Sequence, residues 1–270
     1  MEEREYTINP SNFPDSRGQK DLLMIFVVDT SGSMGNAAGN EGKSRMDEVN
    51  KAFEEMIPKL REQQMEQGAE YTLYISIIGF NTTATVLQEP IRIMEYQHKE
   101  IACEEWATYY SCAYSMLDEK MSTGAFFAGM KKIASPYIMF MTDGEPTEGD
   151  ITRANAKLEK LKDNNRFAES EFRYAILIGN EAIHSPEARR AVENFVSGNP
   201  VEHIIEARDT SDIAQAIVAK TQHVVATYHR VDVSPVTPPD QKFDPYPGPE
   251  PDPELNPGPD PDDFDFEDLY

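Results

Sequence analysis

Asp29, Ser31 and Ser33 occupy alternate positions of one short stretch, Asp29-Thr30-Ser31-Gly32-Ser33, and another acid stands far along the chain in Thr142-Asp143-Gly144. Between them in sequence, Ala107-Thr108-Tyr109-Tyr110 offers a further hydroxyl just ahead of a predicted helix. Asp29, Ser31, Ser33, Thr108 and Asp143 together supply two carboxylates and three hydroxyls, all hard oxygen donors. Magnesium prefers such a set, in octahedral geometry with several waters retained; Mn2+ and Ca2+ also accept oxygen ligands. Two carboxylates neutralise a doubly charged ion and no more, because hydroxyls add no charge. An ion held this way stays electrophilic and welcomes a carboxylate from another molecule. The chemistry expected is recognition, with no catalytic step.

Such a set can converge only if the chain brings distant strand ends together. Leu22–Asp29 is an unbroken apolar run ending in an acid, the pattern of a strand buried on both faces of a parallel sheet. A polar loop follows, Ser44 is placed to cap a helix, and Met46, Val49, Phe53, Met56, Ile57 and Leu60 recur at helical spacing. Pro58 inside that pattern predicts a kink or an early end. Tyr71–Phe80 and Ala84–Leu87 read as a hairpin, which makes one strand antiparallel to the rest. Helices are predicted from about Ser111 to Glu119, at Phe126–Ile133 and at Ile151–Lys162. Strands are predicted at Tyr137–Met141, Phe172–Ile178 and Val201–Glu206. Ser185-Pro186-Glu187 opens another helix, and Thr210 or Ser211 caps a last one to about Thr227. Alternation of this kind gives a doubly wound, Rossmann-like α/β sandwich of three layers. Its sheet should be central and mostly parallel, with one antiparallel edge strand. In such sheets ligands sit beyond the carboxyl ends of the strands, where the strand order reverses.

These segments resemble a known family. Asp29-Thr30-Ser31-Gly32-Ser33 directly after a buried strand, Ala107-Thr108 before a helix, and Thr142-Asp143-Gly144-Glu145-Pro146-Thr147 are similar to the three loops of the metal-ion-dependent adhesion site of von Willebrand factor A (VWA) domains. The resemblance covers roughly residues 20–227 and implies the VWA fold. It also implies that Ser31, Ser33 and Thr108 coordinate the metal directly and that Asp29 and Asp143 often act through water. Thr108 departs from the usual pattern, since Trp106-Ala107 precede it where many relatives have two glycines; a plain helix N-cap competes with a ligand role there. The stretch beginning Phe80-Asn81-Thr82-Thr83 and that over 140–147 further resemble the bacterial tellurium-resistance TerY-like branch. Its members are associated with kinase and phosphatase partners. The implied role is an adaptor in stress-response or phosphorylation signalling, docking an acidic group of a protein partner through the metal.

Competing chemistries fit less well. Ala37–Ser44 matches a relaxed P-loop and would make Lys43 and Ser44 the phosphate-binding residues of a nucleotide hydrolase. A P-loop joins its strand directly to its helix, whereas seven residues, Thr30–Asn36, intervene here. A phosphatase with an aspartyl nucleophile would need an acid two residues after Asp29, where Ser31 stands. No Gly-x-Ser-x-Gly elbow occurs, and His98, His184, His203, His223 and His229 read as surface or loop residues.

The net charge is −23, of which −11 falls in 231–270. Nucleic acid and anionic membranes are therefore disfavoured as partners. Eleven of the nineteen prolines lie in the same stretch, which reads as a disordered acidic tail. Phe264, Phe266, Leu269 and Tyr270 could make it a docking segment, and at roughly 3.1 Å per residue a tail carboxylate could reach the metal. Residues 1–20 read as a polar lead-in and 21–229 as the domain. Cys103 and Cys112 are too few for a disulfide framework. Without an apolar leader or a run of ~20 apolar residues, the chain is expected in the cytoplasm.

Overall fold

The computed structural model describes residues 20–36, 42–66, 71–104, 107–131, 133, 135–208 and 210–228. The lead-in up to 19, the middle of the loop at 37–41 and the acidic tail lie outside the described residues. Strand β1 (Lys20–Asp29) is buried at every position after Lys20. An apolar run without polar alternation has no solvent face to offer, so it takes the middle of the sheet. It pairs in parallel with β2 (Tyr71–Phe80) on one side and β4 (Tyr137–Thr142) on the other. Beyond β4 lie β5 (Arg173–Ile178) and β6 (Ile204–Ala207), both parallel. Beyond β2 lies β3 (Ala84–Arg92), antiparallel. The order is β3-β2-β1-β4-β5-β6, so the antiparallel strand is at the edge as the hairpin reading requires. Pro90 falls within β3, where an edge strand tolerates a missing N–H.

Successive side chains of β1 feed two separate cores. Leu22, Met24, Phe26 and Val28 pack with Val49, Phe53 and Met56 of α1 (Arg45–Glu66) and with Ile213, Ile217 and Val224 of α8 (Thr210–Tyr228). Leu23, Ile25 and Val27 pack with Ala113 and Leu117 of α2 (Tyr110–Ser122), Leu158 and Leu161 of α3 (Ile151–Lys162), and Val192 of α6 (Pro186–Glu193). Three layers follow directly from this two-faced burial, each large apolar side chain contributing about 1.5–3 kcal/mol. The remaining helices are short: α4 (Asn165–Ala168), α5 (Gly179–His184) and α7 (Pro200–His203). Among the described residues, no helix is long and apolar enough to cross a membrane.

Four expectations are corrected. Phe126–Ile133 is not one helix: among its described residues only the 3-10 turn Ala125–Phe127 forms. Gly124 and Gly129 adopt φ of 69° and 79°, conformations that interrupt a helix on both sides of the buried Phe126 and Phe127. Val201–Glu206 is not one strand, because Asn199 caps the single turn α7 before β6 begins at Ile204. Pro58 does not shorten α1, which runs on to Glu66. Pro58 is exposed, as is Glu54, the residue whose carbonyl loses its helical donor to the proline. Pro58→Ala should therefore raise stability by about 1–2 kcal/mol, read as a higher midpoint in thermal unfolding; a fall would mean that the helix depends on the proline. His98 and His203 are also not plain surface residues. His98 stacks on Phe53 and His203 on Tyr174, and burial lowers both pKa values.

The chain leaves β1 toward β2 and β3, then returns through α2 to β4 on the opposite side. The carboxyl ends of β1 and β4 therefore flank the reversal point of the sheet, where such folds bind ligands. Asp29 is the last residue of β1, and Asp143 directly follows β4.

Candidate metal centre

Beyond Asp29 the backbone turns sharply. Thr30 ties it to β2, its amide and its hydroxyl both donating to the Phe80 carbonyl at 2.8 and 3.0 Å. The chain then winds into a 3-10 turn, Gly32–Gly35, anchored by the fully buried Met34. This turn sets Ser31 and Ser33 beside the acids. The Ser31 amide donates to Asp29 Oδ1 at 2.9 Å, and the Ser31 and Ser33 hydroxyls lie 3.1 Å apart. Ser33 Oγ donates to Asp143 Oδ1 at 2.8 Å. Four of the five expected residues, Asp29, Ser31, Ser33 and Asp143, thus form one continuous hydrogen-bonded chain across the two strand ends.

Thr108 is positioned by backbone. Its amide donates to Thr147 Oγ1 at 3.2 Å, and its carbonyl accepts from the Thr147 amide at 2.9 Å. On its other side the Tyr109 amide donates to the Asn81 carbonyl at 2.9 Å. Asn81 Nδ2 donates to Glu104 Oε2 and Thr30 Oγ1. The structure thus seats Thr108 against the loop that carries Asp143, but no hydrogen bond joins its hydroxyl to the other four residues. Nor is it the cap of α2: Tyr109 holds that place, without a side-chain bond. The cap comes from across the fold, since Asp150 accepts from the Ser111 amide at 2.9 Å and from the Ser111 hydroxyl.

Asp29 is fully buried, and its pKa is raised from 3.8 to about 7, chiefly by burial and next by the charge of Asp143. Hydrogen bonds from Ser31 and Thr142 hold it back only in part. A buried carboxylate beside a second one is disfavoured as an ion unless positive charge lies close by. Among the described residues no three His, Cys, Asp or Glu side chains gather into a cage. Any ion here would be held by two acids and hydroxyls, a donor set that fits Mg2+ or Mn2+ and leaves the ion's charge only just balanced.

Besides Asn81, three residues of the site escaped the sequence reading. Thr142 Oγ1 donates to Asp29 Oδ2 at 2.8 Å and so orients the acid from β4. Asp150 fixes the start of α2. Arg45, the first residue of α1, donates from Nη1 to Asp143 Oδ2 at 2.5 Å and from Nη2 to Glu181 Oε2 at 3.0 Å. Burial opposes the Arg45 charge, but the bond to Asp143 and its charge, then Glu181, raise the pKa overall. A signal did exist for Arg45. It shares a helical face with Val49, Ala52 and Phe53, and a cation at a core-facing position requires a buried acid. Ser44, one of the residues of the nucleotide alternative, is committed elsewhere: its hydroxyl accepts from the Asp47 amide at 3.0 Å, and Asp47 Oδ2 accepts from the Ser44 amide at 2.8 Å. That reciprocal pair starts α1.

Fold and site together define a doubly wound α/β domain with acids and hydroxyls at its reversal point. Residues 24–145 match the family model of the von Willebrand factor type A domain, a stretch that holds Asp29, Ser31, Ser33, Thr108 and Asp143. Over that stretch, a little under half of the chain, the protein is similar to a VWA domain. Solved structures share the fold. The PilB minor pilin from Streptococcus sanguinis is 17% identical with a TM-score of 0.53, over 77% of this chain and 62% of its own. A von Willebrand factor type A protein from Catenulispora acidiphila is 13% identical with a TM-score of 0.52, over 75% and 42%. The pilus adhesin SpaC from Lactobacillus rhamnosus GG is 12% identical with a TM-score of 0.56, over 77% and 31%. The match spans less than two thirds of each of these proteins. No curated protein matches the chain.

Proposed function

We propose that this VWA-like domain is a protein-docking module that requires a divalent cation and performs no catalysis. The observation that carries the reading is the chain Asp29–Ser31–Ser33–Asp143 at the reversal point, with Asp29 held near neutrality in pKa by burial and by Asp143. Asp29, Ser31, Ser33, Asp143 and the neighbouring Thr108 would hold Mg2+ or Mn2+, and the ion would supply a positive charge with room for an acidic side chain of a partner. The residues around them do the positioning. Thr142 orients Asp29, Asn81 and Thr147 hold the segment of Thr108, and Asp150 fixes the helix that follows. The resemblance of 80–86 and 140–147 to the TerY-like branch favours an adaptor in stress-response or phosphorylation signalling, with a kinase or phosphatase as the acidic partner. Nucleotide hydrolysis through Lys43 and Ser44 is the weaker reading, because the Ser44 hydroxyl is engaged at the start of α1. The test is capture from native lysate with Mg2+ and again with chelator. A partner retained only with Mg2+, and lost with Asp29→Asn, supports the reading; a partner retained equally in chelator overturns it.

A further inference from the structure

Arg45 is 7% exposed and lies on the core-facing side of α1. Its Nε is buried without a hydrogen-bond partner among the described residues. The fold makes room for it: Gly179 has φ +86°, and a Cβ there would lie 2.9 Å from Arg45 Nε. With Ser33 on Oδ1 and Arg45 on Oδ2, both oxygens of Asp143 are taken, one of them by a fixed positive charge. A cation bound at this site would face that charge across a single carboxylate. The two acidic partners of Arg45 differ sharply in setting, since the Asp143 side chain is 1% exposed and that of Glu181 85%.

We infer that Arg45 is a resident counter-ion of the metal centre, competing with the divalent cation for Asp143, and that Glu181 takes over the guanidinium when the cation enters. The inference rests on the reading of the site as a metal centre. Without the cation, Arg45 balances Asp143. With it, the charges of Asp29, Asp143, Arg45, Glu181 and the ion sum to zero, so Glu181 is what lets Arg45 remain buried. A guanidinium separated from the buried Asp143 would otherwise stand uncompensated in the interior. Cation affinity is thereby set by a residue that need not touch the ion, and occupancy is signalled to the first turn of α1 and to α5.

The experiment is calorimetric titration of the full chain with Mn2+ alone. Arg45→Gln should bind Mn2+ about ten-fold more tightly than the parent. Glu181→Gln should bind it several-fold more weakly, and by more than Glu145→Gln, which removes the same charge from an exposed position beside Asp143. In the Arg45→Gln background, Glu181→Gln should do no more than Glu145→Gln does, since the coupling runs through Arg45. Equal or weaker binding by folded Arg45→Gln overturns the inference, as does an unchanged Glu181 effect in that background. Should Arg45→Gln not fold, the comparison of Glu181→Gln with Glu145→Gln in the parent decides alone, and equality overturns it. Absence of Mn2+ binding in the parent removes the metal-centre reading itself, and the inference with it.

Discussion

Asp29→Asn should make the metal-free domain more stable at neutral pH while reducing cation affinity roughly a hundred-fold or more, a loss at the upper end of that seen at tuned metal sites. The two effects have one origin. Asp29 carries a pKa near 7 in the fold against 3.8 as its ordinary value. Between those values the folded state keeps a proton that the unfolded state has lost. Stability of the metal-free domain from this group therefore falls as pH rises, by about 1.4 kcal/mol per unit across that window, and levels off above it. An amide does not ionise, so the variant should lose this component of the slope, seen as the difference between parent and variant in denaturant unfolding at pH 5 and pH 8. The amide is also accommodated. Oδ1 can still accept from Ser31, and the Thr142 hydroxyl can turn to the Gly144 carbonyl, 3.2 Å away, and accept from the amide nitrogen. In the parent, saturating Mg2+ should flatten the same slope, because the cation replaces the proton. A parent and variant with equal slopes would show that Asp29 is not the strained acid described.

The second large effect is expected at Asp150→Ala. Asp150 is wholly buried and takes both the amide and the hydroxyl of Ser111, with Arg153 Nε at 3.8 Å. Its loss strands buried donors at the start of α2, at about 2–3 kcal/mol, or roughly 5–10 °C in melting temperature. The damage should reach the site, because α2 follows directly on Thr108 and Tyr109. Cation affinity should fall along with stability. A variant that melts lower but binds Mn2+ as tightly as the parent would show that Thr108 is not a ligand of the cation.

The sequence made some parts of this molecule plain and hid others for physical reasons. β1 and β4 were readable because a strand covered on both faces has no polar alternation to confuse it; β1 ends at an acid, and one directly follows β4. The helix at Ser185-Pro186 was readable because its cap is local: Ser185 accepts from the Ala188 amide at 3.1 Å. Phe126–Ile133 was not legible because Phe126, Phe127, Met130 and Ile133 keep helical spacing in sequence while the positive φ of Gly124 and Gly129 interrupts the helix. The site divides in the same way. Asp29, Ser31, Ser33 and Asp143 were legible because strand ends and short turns dictate their places. Asp150 and Asn81 were not, since each serves a segment some tens of residues away in sequence and reads locally as loop. Arg45 was not legible because it follows the phosphate-loop-like Lys43-Ser44 and its acid, Asp143, lies 98 residues away in sequence.

The most direct measurement is anomalous scattering from a crystal of the domain soaked in Mn2+. A single manganese peak is expected, bounded by Asp29, Ser31, Ser33, Thr108 and Asp143, with the Arg45 guanidinium turned toward Glu181. A well-ordered site with no peak there, and Arg45 still seated on Asp143 at saturating Mn2+, would contradict that expectation.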